Sequence, residues 1–280
     1  MENYSVLMSV YCKEKPEYLL QSMQSIYNQT VATNDFILIC DGPLTQDLDA
    51  VIIEMQNKFG SRLNVHRLEK NGGLGRALNF GIKNCKNDLI ARMDSDDVSR
   101  PNRCEIQIQK FREHPEYSII SGFVEEFSID TNHVTSCRIV PENQVEIIKF
   151  AKKRNPFNHP CVMYRKRDVE AVGGYPEHVV LLEDYYLWIR MLQKDFIGYN
   201  IQYPLLWMRA GIDMYKRRGG WKYLKSQRKF FKYMKEHGFI SYSQYQLQTV
   251  IRMFVSVVPT PIRIFLFKKK LRVINREYKL

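Results

Sequence analysis

The sequence has too few cysteines, too widely spaced, for a disulfide framework. Its six cysteines are spread over 280 residues, and no two of them form the paired spacing that is typical of zinc and iron–sulfur sites. The N-terminus also lacks the basic start and apolar run of a signal peptide. We therefore expect a reducing, cytoplasmic location.

Long apolar runs are missing as well. The apolar, uncharged stretch between Arg252 and Arg263 covers residues 253–262 and contains Pro259 and Pro261. It is about half as long as the ~20 residues of a membrane-spanning helix. No internal repeat or low-complexity linker is found. The sequence therefore predicts no transmembrane segment.

Acidic residues are scarce only in the last quarter of the chain. Residues 211–280 hold 17 Lys/Arg and 3 Asp/Glu, a net of +14, whereas residues 1–210 hold 25 and 27, a net of −2; together they give +12. Aromatic residues are interleaved with the basic ones. We interpret 211–280 as a basic, mainly helical extension that meets either an acidic partner or only solvent. A nucleic-acid partner is disfavoured because no RNA- or DNA-binding motif is present.

Residues 1–210 are predicted to form one α/β domain. Short apolar runs alternate with helical patterns in its first half, and the runs cover residues 5–11, 36–40, 63–68, 89–93 and 117–124. Such alternation favours a mostly parallel sheet with helices on both faces. Ligands of these sheets bind at the carboxyl ends of the strands. The polar residues that follow the strands are therefore the candidate site.

An acidic cluster follows the fourth strand directly. Asp94 and Asp96 are two residues apart, so in an extended segment their side chains point the same way. Two neighbouring carboxylates repel each other unless a cation lies between them, and Mg²⁺ takes oxygen ligands and bridges to phosphates. The cluster thus predicts a metal–diphosphate site. The alternative is a charged turn, in which Asp is common.

Three further motifs are ambiguous when taken one by one. Asp41 precedes Gly42-Pro43, where an Asx-turn would explain it. The glycine-rich stretch 71–81 either brings a backbone close to a phosphate or only begins a helix. Glu183 and Asp184 are either favoured by a helix dipole or include a general base.

Together, these motifs resemble the family 2 glycosyltransferases, an inverting group with the GT-A fold. The resemblance covers about residues 4–200. It is carried by the order and spacing of Glu14, Asp41-Gly42, 71–81, Asp94-Ser95-Asp96, His159-Pro160, Gly173-Gly174-Tyr175 and Glu183-Asp184 with Leu187, Trp188 and Arg190. Leu78 departs from the family, whose members often carry Arg at that position, directly before the Asn of the glycine-rich helix.

The resemblance implies an inverting, metal-dependent hexosyl- or N-acetylhexosaminyl-transferase. It would move a sugar from a UDP-sugar to a hydroxyl of a saccharide acceptor, linked to a lipid diphosphate, in capsule, O-antigen or exopolysaccharide biosynthesis. Mn²⁺ or Mg²⁺ would be held by Asp96 with help from Asp94. Asp184 would be the base, with Glu183 as second candidate. One alternative is a metal-dependent nucleotidyltransferase, which would release pyrophosphate rather than UDP. The other is a non-enzymatic basic protein that binds nucleic acid or a membrane.

The resemblance also divides the domain into two halves. The half at 1–125 is expected to bind the donor through Ser9, Tyr11, Glu14, Asp41, Asn71, Gly73, Asn79, Asp94, Ser95 and Asp96. The half at 126–210 is expected to bind the acceptor through His159, Trp188 and Arg190. The extension 211–280 is expected to hold the enzyme on the inner face of the cell membrane, through the anionic lipid surface.

Overall fold

Strands and helices alternate through the first half of the chain, as the apolar pattern predicts. The computed structural model describes residues 3–179, 181–211, 220–259, 261 and 272–273. Its first elements are β1 (Tyr4–Val10), α1 (Pro16–Tyr27), β2 (Asp35–Cys40), α2 (Gln46–Phe59), β3 (Leu63–Arg67), α3 (Leu74–Asn84) and β4 (Leu89–Asp94).

The second half is less regular, and two helices follow it. Its elements are β5 (Val98–Ser99), α4 (Arg103–Glu113), β6 (Tyr117–Phe127), β7 (Val134–Arg138), α5 (Gln144–Ala151), β8 (Met163–Arg165), α6 (Lys166–Ala171), α7 (Glu183–Gln193) and β9 (Ile197–Arg209). The two later helices are α8 (Gly220–Glu236) and α9 (Tyr242–Val257).

The strands form a sheet of nine with the order β3-β2-β1-β4-β8-β6-β9-β5, and β7 pairs with β6. Strands β3, β2, β1 and β4 are parallel, and the register places Val10 beside Cys40 and Ser9 beside Asp94. The carboxyl ends of these strands therefore lie along one edge, as predicted. The α/β fold with helices on both faces of the sheet is confirmed.

Side chains of the central strands alternate between two cores, one on each face of the sheet. Val6 and Met8 of β1 pack with α1, α2 and α4, whereas Leu7 packs with α3, α5 and α7. This two-sided burial explains why the central strands are continuous apolar runs. It also fixes the position of β4, and with it the acidic cluster at the end of that strand.

The long strand β9 was not predicted, although it carries part of the site. Its sequence is interrupted by Gln202, Tyr203 and Pro204. The pairing with β6 shifts register at this point, so that Gly122 pairs with Ile201 and Phe123 with Pro204. A proline lacks the N–H of a regular ladder but is tolerated at such an irregularity.

The extension packs on the domain through α8. Phe230, Phe231 and Met234 are fully buried in the core that contains α7. The Phe230 ring lies 4.3 Å from the ring of Tyr185 and 4.6 Å from that of Tyr186, centroid to centroid. The basic stretches at 215–218 and 263–270 lie outside the described residues. Within the described part of the chain, no helix has the length and apolar character needed to cross a bilayer.

We expect Phe230→Ala to lower the free energy of unfolding by about 3–5 kcal/mol, because it leaves a cavity among buried rings. Phe254→Ala on α9 is the matched control, since that side chain is 66% exposed. Surface substitutions usually change stability by within about 0.5 kcal/mol. Urea unfolding of both variants measures the difference. Equal midpoints would show that α8 contributes nothing to the core.

Candidate active site

The cleft of the molecule opens at the carboxyl end of β4 and has a volume of about 380 Å³. Its walls come from distant parts of the chain: the segment after β4, the loop before β8, the start of α7, the end of β9 and both extension helices. Asp94, Asp96 and Asp184 all line it. The two carboxylate motifs found in the sequence thus face one space.

Three carboxylates cluster at the floor of the cleft. Ligand oxygens of Asp94, Asp96 and Asp97 lie within 4.8 Å of one another. The pKa of Asp96 is raised to about 7, first by burial and then by the charges of Asp94 and Glu14. A cation would relieve this repulsion, and three converging carboxylates suit a hard divalent ion. The residues present therefore fit Mg²⁺ or Mn²⁺.

Two arginines hold this cluster in place. Buried Arg92 forms an ion pair with Asp94 through Nη2. At the end of β9, the Arg209 backbone N–H donates to Asp97 Oδ1 at 2.7 Å, and its Nε donates to the Asp96 carbonyl oxygen at 3.0 Å. Because Asp94 and Asp97 are engaged in this way, Asp96 is the carboxylate with the greatest freedom to bind a cation.

The loop after β1 joins the acidic cluster. Ser95 Oγ donates to Glu14 Oε2 at 2.5 Å. Ser9 is the β1 neighbour of Asp94 in the register, and Tyr11 is partly exposed at the strand end. Three of the predicted donor residues, Ser9, Glu14 and Ser95, are therefore gathered around Asp94.

Asp41 and the glycine-rich loop contact each other instead. The Asp41 carboxylate accepts from the Gly72 and Gly73 N–H groups at 2.8 and 3.0 Å, and Asn71 Nδ2 donates to the Asp41 carbonyl oxygen at 3.1 Å. Gly73 precedes α3 with φ = 88°, which an L side chain rarely adopts. None of these residues lines the cleft around Asp96.

Asn79 has a structural partner in a turn after α6. Its Oδ1 accepts from the Tyr175 N–H at 2.7 Å, and its Nδ2 donates to the Tyr175 carbonyl oxygen at 2.8 Å. Gly174 has φ = 65°, and a Cβ there would lie 2.4 Å from Asn79 Oδ1. With its amide engaged in this clamp, Asn79 does not line the cleft, and its expected role in donor binding stays a prediction.

Asp184 lines the same cleft as the acidic cluster. Its Oδ2 accepts from Asn155 Nδ2 at 2.5 Å, and its Oδ1 accepts from the Tyr185 N–H at 2.8 Å. Burial raises the pKa of Asp184, although these hydrogen bonds and Arg92 oppose the rise. Burial also raises the pKa of Glu183, but that side chain does not line the cleft.

The three residues expected on the acceptor side differ in position. His159 lines the cleft, and its Nε2 lies 3.0 Å from the Tyr175 hydroxyl. Its pKa is lowered well below the usual value by burial and then by Arg92, so the ring is neutral at pH 7. Trp188 is fully buried and packs edge-on against Phe157. Trp188 therefore packs in the core and does not line the cleft, and its expected role on the acceptor side stays a prediction.

Arg190 points away from the cleft toward the turn that follows α6. Its Nη2 donates to the Gly174 carbonyl oxygen, and the residue does not line the cleft. Like Asn79, it supports the glycine turn. Its expected role on the acceptor side stays a prediction.

Sequence reasoning missed several polar residues of the cleft. Asn155 lies in an irregular loop, and nothing in its spacing links it to Asp184. Arg209 lies at the end of the strand that was not predicted. Arg92 carried a usable signal, because it is two residues before Asp94 on the same strand and so shares its face.

Sequence comparisons agree with these motifs. Residues 5–173 match the family described as "Glycosyl transferase family 2". The chain is 40% identical over 271 residues to the UDP-Gal:alpha-D-GlcNAc-diphosphoundecaprenol beta-1,3-galactosyltransferase of Escherichia coli, with 96% of each chain covered. It is 38% identical over 269 residues to the amylovoran biosynthesis glycosyltransferase AmsE of Erwinia amylovora, with 95% of this chain and 98% of AmsE covered.

Solved structures show the same fold at low identity. Residues 1–349 of S. aureus TarS superpose with a TM-score of 0.65 at 16% identity, covering 96% of this chain and 75% of that one. The mannosyltransferase PcManGT from Pyrobaculum calidifontis, solved with GDP-Man and Mn²⁺, superposes with a TM-score of 0.64 at 10% identity. The match covers 94% of this chain and 72% of that one. These neighbours share the mixed sheet and its covering helices.

Proposed function

The chain belongs to the family 2 glycosyltransferases, and from this premise we propose that it transfers a sugar from a UDP-sugar to a hydroxyl of a lipid-diphosphate-linked saccharide. The observation that carries the proposal is one cleft that Asp94, Asp96 and Asp184 all line. The donor diphosphate needs the Asp94 and Asp96 carboxylates, and the attacking hydroxyl needs Asp184.

The donor is proposed to bind above the acidic cluster. Asp96, with Asp94 and Asp97 beside it, would hold Mn²⁺ or Mg²⁺, which supplies Lewis-acid stabilisation of the leaving diphosphate when bound. Arg92 keeps Asp94 oriented, and Ser95 and Glu14 tie the loop after β1 to the same place. These contacts support a donor site at the acidic cluster.

Asp184 is proposed to take the proton of the attacking hydroxyl. A general base must lie within hydrogen-bond reach of that proton, and Asn155 and the Tyr185 N–H hold the Asp184 carboxylate in one orientation. With the donor diphosphate held at Asp96, attack on the face of the sugar opposite to that leaving group would invert the anomeric centre. The Glu183 side chain does not line the cleft.

The E. coli relative's name gives the first substrates to test. We propose UDP-galactose as donor and an N-acetylglucosaminyl diphosphate lipid as acceptor, in bacterial surface-polysaccharide biosynthesis. Incubation of the protein with each of several UDP-sugars, this acceptor and Mn²⁺ should release UDP and extend the acceptor by one sugar. Release of pyrophosphate would instead indicate a nucleotidyltransferase.

The extension is proposed to contact an anionic membrane surface. Exposed apolar side chains follow a helical spacing on α9, at Leu247, Val250 and Phe254. The partner helix α8 exposes Trp221 and a row of cations, Lys222, Lys225, Arg228, Lys229 and Lys232. Apolar insertion and lysine attraction to anionic lipid, about 1 kcal/mol per cation, act together at such a surface.

We expect the protein to sediment with phosphatidylglycerol vesicles and not with phosphatidylcholine vesicles. Leu247→Glu should weaken this binding, because it places a charge in the apolar row. Ile53→Glu on α2 is the matched control, since the exposed fractions are 57% for Leu247 and 59% for Ile53. Equal loss in both variants, or equal binding to both vesicles, would contradict the membrane role.

A further inference from the structure

An arginine cluster lines the wall of the cleft beside Asp184. Its members are Arg138 at the end of β7, Arg154 after α5, Arg252 on α9 and Arg272 near the C-terminus. No sequence motif links these residues, which come from four separate segments. We define this set as the arginine wall.

Arg154 is the member of the wall whose positive charge has no partner among the described residues. Within the described part of the chain, its guanidinium has no hydrogen bond or ion pair with a protein group. Arg252 Nη2 donates to the Lys153 carbonyl oxygen at 2.6 Å, while its buried Nε has no partner among the described residues. Arg272, in contrast, forms an ion pair with Glu126 at 2.5 Å.

The members of the wall act on one another as like charges. The pKa of Arg154 is lowered first by burial and then by the charges of Arg252 and Arg272. Half-buried guanidinium groups that repel each other reduce stability unless an anion joins them. Guanidinium donors match the oxygens of phosphates in a bidentate manner. The wall is therefore preorganised for a phosphate-type anion.

We propose that Arg154 and Arg252, with Arg138 beside them, bind the diphosphate of the lipid-linked acceptor. This inference rests on the proposed function. Arg154 is adjacent in sequence to Asn155, whose Nδ2 donates to the Asp184 carboxylate. An acceptor sugar whose hydroxyl meets Asp184 thus carries its diphosphate to this side of the cleft, whereas the donor diphosphate belongs at Asp96.

The arginine wall would recognise the diphosphate of an acceptor before the sugar of that acceptor is recognised. Arg138 Nη2 donates to the Asn155 carbonyl oxygen at 2.8 Å, so the loop that orients the base is also tied to the wall. An anion bound there would fix the distance between the diphosphate and the attacking hydroxyl. An uncharged glycoside of the same sugar would lack this anchor.

The test compares Arg154→Gln and Arg252→Gln with Arg112→Gln, a matched control on the exposed end of α4. The acceptors are an alkyl diphosphate ester of N-acetylglucosamine and the neutral alkyl glycoside of the same sugar. We expect the two wall variants to raise KM for the diphosphate acceptor by roughly tenfold or more, as for loss of a charged hydrogen bond. KM for the neutral acceptor and the Kd for UDP with Mn²⁺ should stay unchanged.

Stability separates recognition from folding. Arg154→Gln removes a charge without a protein partner, so its melting temperature should equal or exceed that of the wild type. An equal rise in KM for both acceptors would overturn the proposal, and so would a weaker affinity for UDP, which would assign the anion to the donor.

Calorimetry with the diphosphate ester alone keeps this test independent of turnover. Binding to the wild type that is lost in Arg154→Gln supports the arginine wall even if no sugar is transferred. The absence of transfer with every UDP-sugar would instead contradict the proposed function. Undiminished binding of the ester to Arg154→Gln would overturn the wall alone.

Discussion

Asp184→Asn is expected to abolish sugar transfer and leave UDP binding intact. The amide keeps the size of the carboxylate and can still accept from the Tyr185 N–H, but it cannot take a proton. General bases contribute roughly 10²–10⁴-fold to rate, so kcat should fall by at least about 100-fold. Initial rates of UDP release measure this loss, and calorimetry of UDP with Mn²⁺ checks the donor site.

Glu183→Gln is the matched control for the base. It changes the adjacent carboxyl, which does not line the cleft, so transfer should remain within a few-fold of the wild type. The base assignment fails if Asp184→Asn turns over at a near-normal rate. If Glu183→Gln is the inactive variant, the base is Glu183.

Asp96→Asn is expected to remove metal-dependent UDP binding. Asp96 is the carboxylate of the cluster whose side chain is not engaged by an arginine, so its loss leaves Asp94 held by Arg92 and Asp97 held by the Arg209 N–H. Mutation of residues that only hydrogen-bond to the metal ligands typically lowers metal affinity by roughly 10–100-fold. We therefore expect at least about a 100-fold rise in the Kd for UDP with Mn²⁺.

Asp47→Asn is the control for this second experiment, because Asp47 is an exposed carboxylate on α2. Its UDP affinity with Mn²⁺ should match that of the wild type. Titration without metal should give the same weak binding for all three proteins. Metal-enhanced UDP binding that survives in Asp96→Asn would exclude Asp96 as the ligand.

The parallel part of the fold was predictable because burial on both faces leaves a continuous apolar run for each strand. Residues 36–40 show this clearly. They belong to β2, which lies between β1 and β3, and their side chains alternate between the cores on the two faces of the sheet. Strand β9 carried no such signal. Its interruption at Pro204 is compatible with a strand only because β6 accommodates an irregularity there, and that depends on tertiary pairing.

Motifs predicted residue types in the site better than the direction in which side chains point. Asp94, Asp96, Asp184 and His159 line the cleft, whereas Trp188 belongs to the same helical motif and is buried. A helix presents different faces at successive residues, so neighbours in a motif separate into core and site. The roles of all these residues in donor and acceptor binding stay predictions.

The arginine wall was outside the reach of sequence reasoning for a different reason. Arg138, Arg154 and Arg252 occur in a chain with 42 Lys and Arg residues, and each looks like an ordinary surface cation. Only the approach of four segments to one cleft distinguishes them. The basic extension, interpreted from its charge as a partner-binding surface, also provides cleft side chains.

Completion of the cleft by the C-terminal part of the chain has a consequence for the order in which the protein is made. Val273 pairs with Cys137 through two backbone hydrogen bonds of 2.8 and 3.0 Å, and Arg272 reaches Glu126. The carboxylates at 94–97 and 184 leave the ribosome long before these contacts are possible. A nascent chain thus exposes these carboxylates before residues 272 and 273, which complete one wall of the cleft, have been synthesised.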